Sequence, residues 1–294
     1  MKNSGLDSSD DIEKIVRNIL VASKAWDKLP TPVDKITEFA ELQIEMGIDL
    51  STVEPDFITS NFQFVKRALA KTLGILDRRK KTIYLDHSQI VPRKNFIKLH
   101  EVGHKACSWQ SALGFIDDDK TIDPDINDKF EREASFFASG ALFQLERFDD
   151  EVAKLPLEIC SPLVLAKKFG GSNHAAIRRY VERSKKRLAL IVLHKPEKNG
   201  EFSAKIRNYF QSEKFTADFG EISWANEKCG LELPFIQDIK RGKRLHKDGQ
   251  IALKIGSGEF VTFAYHYFNS SHNSFVLLLP LGETIKSRTV IVPR

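Results

Sequence analysis

Apolar residues recur at helical spacing through the first half of the chain and at strand spacing through its last third. Ile12, Ile15, Val16, Ile19 and Leu20 fall on one side of a helical wheel, which predicts an amphipathic helix over 11–28. LPTPVD interrupts it, and Pro32 to Asp34 opens a second predicted helix running to about Met46, with a third over 58–71. TLGILDRRKKTIYLDHS reads as a hairpin, with strands at 72–76 and 82–86 around a charged turn from Asp77 to Lys81. Pro92 and Asn95 lead into a helix over 93–109. Beyond an Asp-rich loop at 117–125, a long helix is predicted from Ile126 to Phe148, with Phe130, Ala134, Phe137 and Ala141 on one apolar stripe. SPLVLAKKFGGSNHAAIRRYVERSKK predicts two short helices around a Gly170-Gly171 turn, with Ser172 capping the second.

From Leu188 the texture changes. LALIVL, FSAKIRNYF, IALKIG, FVTFAYHYF and FVLLLPL are short, β-branched or aromatic, and separated by turn residues. The expected class is therefore α+β. Its parts are a disordered leader over 1–10, a mainly helical domain with a small sheet over 11–155, a helix-turn-helix-like pair over 156–187, and a β-rich domain with one or two helices over 188–294.

Composition narrows the setting. With 294 residues, 41% of them hydrophobic and 29% charged, the chain can bury a core without staples. No apolar run approaches the roughly 18 residues of a membrane span, so no membrane partner is expected. The opening MKNSGLDSSDD lacks the basic and apolar regions of a secretory signal, and the three cysteines are far apart, so a reducing cytoplasm is expected. The net charge of +5 is uneven: Arg178 to Arg187 and Lys240 to Lys247 are dense in Lys and Arg. Such a skew permits a polyanionic partner, and ordinary solvated faces account for it equally well.

The densest chemistry lies in IKLHEVGHKAC, residues 97–107. On a helix, positions four apart project on the same side, so His100 and His104 can share one tetrahedral Zn²⁺. Glu101, at the edge of that face, need not be a ligand and can act as general base toward an attacking water. Gly103 leaves room for a neighbouring element, taken to be a strand. Zinc needs a third protein ligand, and the following long helix offers Glu131 and Glu133, only one of which can point at the metal. The spacing leans toward Glu131, one turn before Ser135, which can orient a ligand histidine, and leaves Glu133 to solvent; it does not settle the choice.

FIKLHEVGHKA followed by EREASFFASGALF resembles the ImmA/IrrE metallopeptidases, whose pattern is a HExGH helix and then a helix reading E-x-x-A-N/S-x-F-A. The match runs through Glu131, Ala134, Ser135, Phe137 and Ala138, and AKKFGGSNHAAIRR extends it, so that it covers roughly residues 30–185. The resemblance implies a zincin-like domain, Glu131 as third zinc ligand, and a GAF-like sensor fold at the carboxy-terminal end. It implies a cytoplasmic hydrolase of peptide bonds that cleaves a helix-turn-helix repressor and so controls transcription in a stress response. In the similar CapP peptidases of anti-phage loci, part of antiviral defence, single-stranded DNA is the implied activator. Two positions depart from the family pattern: Leu142-Phe143-Gln144-Leu145 stands where LLMP is usual, and Ser135 where Asn is common.

Further candidates remain. Cys107 is a possible latent-state metal ligand, against its simpler reading as a small buried residue; reaching the metal needs a kink after His104. Arg178, Arg179, Arg183, Lys185, Lys186 and Arg187 suit phosphate contacts, or a structural brace with a basic face. Lys240, Arg241, Lys243, Arg244 and Lys247 could bind nucleic acid, with Phe263, Tyr265 and Tyr267 stacking bases, although such alternation also marks any half-buried strand. The competing function is thus a nucleic-acid-binding transcriptional regulator whose metal site is structural or vestigial.

Overall fold

The computed structural model describes residues 7–48, 74–77, 81–86, 89–110, 124–196, 201–222, 224, 228–270 and 272–283. The chain divides into two compact units, residues 1–148 with 166–172, and residues 149–165 with 173–294.

In the first unit, α1 (Ser9–Ala22) buries Ile12, Val16 and Leu20. It stops short of the predicted end because the chain turns back at Lys24 and Asp27, with φ of 56° and 69°. The amides of Ala25 and Trp26 bond to the Leu20 carbonyl at 2.8 and 2.9 Å, closing the helix's last turn. Helix α2 (Val33–Phe39) is shorter than predicted, ended by Glu41 at φ 52°. Gln43–Ile48, expected to continue it, is instead strand β1.

The hairpin of β2 (Gly74–Asp77) and β3 (Thr82–Asp86) explains why. It pairs in the antiparallel register Gly74↔Leu85, and β1 adds to its other side in parallel, Gln43↔Thr82 and Ile44↔Ile83, for a sheet order β1-β3-β2. Such pairing outweighs local helical preference. The predicted helix over 58–71 lies outside the described residues.

Helix α3 (Val91–Ala106) takes Pro92 in its first turn and ends at Cys107, where ψ swings to 84°. Helix α4 (Pro124–Leu142) buries Phe130, Ala134, Phe137 and Ala141, the predicted stripe, and Ala138 with them. The long helix expected to reach Phe148 breaks at Gln144 and Leu145, with φ of 51° and 50°, and resumes as α5 (Glu146–Val152). Gln144, fully buried, gives the reason. Its Nε2 donates to Lys28 O at 2.7 Å and Thr31 Oγ1 at 3.0 Å, and its Oε1 accepts from Asp27 N at 3.2 Å. One side chain therefore bonds two backbone groups and a hydroxyl of the 27–31 loop. The two short helices are α6 (Cys160–Phe169) and α7 (Asn173–Glu182), with Gly170 at φ 79° between them.

The second unit carries β4 (Ala189–Leu193), β5 (Ala204–Gln211), α8 (Glu213–Phe219), β6 (Lys228–Cys229), α9 (Pro234–Lys240), β7 (Leu245–Lys254), β8 (Phe260–Asn269) and β9 (Ser274–Pro280). The strands form one six-stranded antiparallel sheet in the order β6-β5-β4-β9-β8-β7. Central β4 and β9 are buried at every residue, which is why LALIVL and FVLLLP are continuously apolar rather than alternating. One face packs on Phe215 of α8 and Phe235, Ile236 and Ile239 of α9. The other meets α7, whose His174 ring lies 5.6 Å from that of Phe275 and whose Arg178 guanidinium lies 4.7 Å above the Phe210 ring. Helices and an antiparallel sheet together make the α+β class expected. Among the described residues no helix is long and apolar enough to cross a membrane.

Candidate metal centre

Helices α3 and α4 approach closely because Gly103 has no side chain. A Cβ there would lie 3.1 Å from the Cα and carbonyl oxygen of Ala134, so the partner that needs the room is a helix, not the strand expected. Glu131 sits one turn before Ala134 and His100 one turn before Gly103, so this contact sets the two ligand faces against each other.

His100 Nε2 lies 3.1 Å from His104 Nε2. Glu131 bridges them, Oε2 at 3.3 Å from His100 Nε2 and Oε1 at 3.4 Å from His104 Nε2. Among the described residues these three form a group that could hold a metal ion, with all ligand atoms within 4.8 Å of one another. Two donors bound about 2.0–2.1 Å from one tetrahedral ion are about 3.3–3.4 Å apart, so the spacing and the donor set of two imidazoles and a carboxylate both fit Zn²⁺.

The electrostatics agree with the geometry. Burial disfavours an ionised Glu131, yet the two histidines that hydrogen-bond to it hold its carboxyl far below the usual carboxylate range. Burial likewise disfavours a charged His104, but Glu131 and Glu101 outweigh it and raise its pKa. Glu101 is itself only 7% exposed, on the same helix as both histidines.

The outer contacts differ from expectation. Ser135 Oγ does lie near His100 Nδ1, at 3.4 Å. Glu133, expected to face solvent, is fully buried and hydrogen-bonded by Ser8, Trp109 and Gln110. Gln110 also contacts His104 Nδ1 at 2.8 Å. Helix periodicity rightly turned Glu133 away from Glu131, but could not reveal that α1 and residues 109–110 cover that second side.

The structure does not bring Cys107 into the group of ligand atoms. It caps α3 as a fully buried residue, and burial, aided by the charge of Glu133, pushes its thiol up to about 12. That environment disfavours the thiolate a metal would require.

The basic candidates separate. Lys243 is bound to Asp238 at 2.8 Å and Lys247 to Glu158 at 2.7 Å, whereas Lys240, Arg241 and Arg244 are exposed. Phe263, Tyr265 and Tyr267 are at most 1% exposed, part of the core under α8 and α9, and present no ring face for a base. In the 178–187 run, Arg178 pairs with Glu182 at 2.9 Å, Arg183 with Asp149 at 2.8 Å and Arg187 with Glu283 at 2.5 Å, while Arg179 is buried. Those arginines brace their own unit, whereas Lys185 and Lys186 are exposed.

No family model matches the chain, and no curated protein matches it in sequence. Among solved structures, a Mycobacterium tuberculosis transcriptional regulator is similar, with a TM-score of 0.53 at 12% identity over 99% of this chain and 83% of that one. At that identity the likeness is one of fold alone.

Proposed function

We propose that the chain is a zinc-dependent endopeptidase of the ImmA/IrrE kind acting in transcriptional control, its substrate a helix-turn-helix repressor. The observation that carries this reading is the convergence of His100, His104 and Glu131 with a buried glutamate beside them. These three residues would hold the ion, which when bound supplies a Lewis acid that acidifies water and polarises a carbonyl. Three protein ligands leave a coordination position open, as hydrolysis needs; structural zinc takes four, usually rich in cysteine. Glu101, adjacent to His100 in sequence, takes the proton of the attacking water and returns it to the leaving amine. Activation by a stress or DNA signal, with single-stranded DNA as the candidate, would act through the β-rich region.

The test is incubation with helix-turn-helix repressors from the same cell, with and without single-stranded DNA, and mass spectrometry of the fragments. Discrete cleavage that needs zinc and Glu101 supports the proposal; an intact repressor under every condition refutes it.

A second reading is a transcriptional regulator that binds nucleic acid through Lys240, Arg241 and Arg244, with the metal structural or vestigial. The fold likeness to a transcriptional regulator favours it. It requires salt-dependent DNA binding that weakens when those three are changed to serine, with no partner cut.

A further inference from the structure

Glu133 takes no part in holding the ion, yet it is a fully buried carboxylate with three donors directed at it. Ser8 Oγ donates to its Oε1 at 2.6 Å, and Trp109 Nε1 and Gln110 Nε2 both donate to its Oε2 at 2.8 Å. An indole N–H can only donate, so Oε2 is an acceptor, and Gln110 must present its NH₂ group there. Gln110 Nε2 also reaches Phe130 O at 3.4 Å, another atom that only accepts.

The amide orientation of Gln110 has a consequence one bond further on. Its Oε1 faces His104 Nδ1 at 2.8 Å, and an amide oxygen cannot donate. Nδ1 therefore carries the hydrogen. In the neutral form that a metal binds the imidazole has one N–H, so the hydrogen stays on Nδ1 and it is Nε2, at 3.1 Å from His100 Nε2 and 3.4 Å from Glu131 Oε1, that gives up its proton to the ion. The Ser135 hydroxyl at 3.4 Å from His100 Nδ1 can donate or accept and imposes no such choice.

We infer that Glu133 and Gln110 are positioning residues: the carboxylate fixes the amide, and the amide holds neutral His104 in the tautomer that leaves Nε2, the nitrogen facing His100 and Glu131, open to a metal. This rests on reading the centre as a metal site. Outer partners of this sort change metal affinity about 10–100-fold when lost.

The test is Zn²⁺ affinity of the full chain by chelator competition, beside metal-free thermal stability and imidazole ¹⁵N NMR. Gln110→Leu and Glu133→Leu are each expected to weaken zinc about 10–100-fold. Trp109→Phe, which removes a bond to the same carboxylate without touching Gln110, should stay within about threefold, below that range. Titrated to its neutral form in the metal-free native protein, His104 should keep its hydrogen on Nδ1 and lose it from Nε2, a readout that needs no variant to fold. Native affinity in folded Gln110→Leu, equal losses in Trp109→Phe and Gln110→Leu, or a neutral His104 whose hydrogen sits on Nε2 would each overturn the inference while leaving the metal site standing. A native chain that binds no Zn²⁺ would remove both.

Discussion

Gly103 and Ala134 touch backbone to backbone: a methyl group on Gly103 would be 3.1 Å from both the Cα and the carbonyl oxygen of Ala134. The helix bearing the two histidines and the helix bearing Glu131 are thereby held close enough for one ion to reach all three side chains. The whole centre depends on this missing side chain.

Gly103→Val is accordingly expected to separate the helices. Overpacking against a backbone rather than a flexible side chain costs about 1–3 kcal/mol, more than helix propensity returns. Zinc titration and thermal denaturation of the variant should both show a loss. Unchanged affinity would mean that the close approach does not set the ligand geometry.

Ligand and base should part company on mutation. Glu131→Ala should weaken zinc by more than the roughly 10–100-fold of an outer contact. Glu101→Gln should keep zinc at native affinity and lose turnover by about 10²–10⁴-fold, the usual contribution of a general base. Metal content by elemental analysis and fragment yield by mass spectrometry separate the two; a Glu101→Gln protein that cuts at the native rate removes Glu101 from the mechanism.

Gln144 should matter to folding rather than chemistry. Gln144→Leu strips Lys28 O and Thr31 Oγ1 of a donor and Asp27 N of an acceptor inside the first unit. Asp27 and Lys28 are exposed and Thr31 Oγ1 keeps its bond to Leu142 O, so the loss should total about 1–3 kcal/mol rather than that much for each group, read as a drop in stability on urea denaturation with zinc affinity little changed.

His174 gives the second unit a pH dependence. Burial, with Arg207 and Arg178 nearby, pushes it down to about 4 from an ordinary 6.5. Between those values the unfolded chain binds a proton that the folded chain does not. Stability from the neutral ring is therefore present above pH 6.5 and lost as the pH falls toward 4. His266, lowered chiefly by its burial, adds in the same direction. The loss is on the order of 2 kcal/mol after allowing for partial exposure. Denaturation curves across this window should flatten in His174→Leu; an equal slope in both proteins would assign the effect elsewhere.

Much of this molecule was legible from residue order alone, and for one reason: periodicity along a single element fixes angular relations within it. His100 and His104 had to share a face once helical, the stripe of Phe130, Ala134, Phe137 and Ala141 had to be buried, and the short β-branched and aromatic runs after Leu188 had to be strands. Only the tertiary structure decided what those faces meet. It made Gln43–Ile48 a strand by giving it β3 to pair with, and broke the long helix at Gln144 to satisfy a distant loop. It buried Glu133 beneath Ser8 and Trp109 and put Gln110 behind His104, since contacts between elements obey packing, which no local spacing encodes.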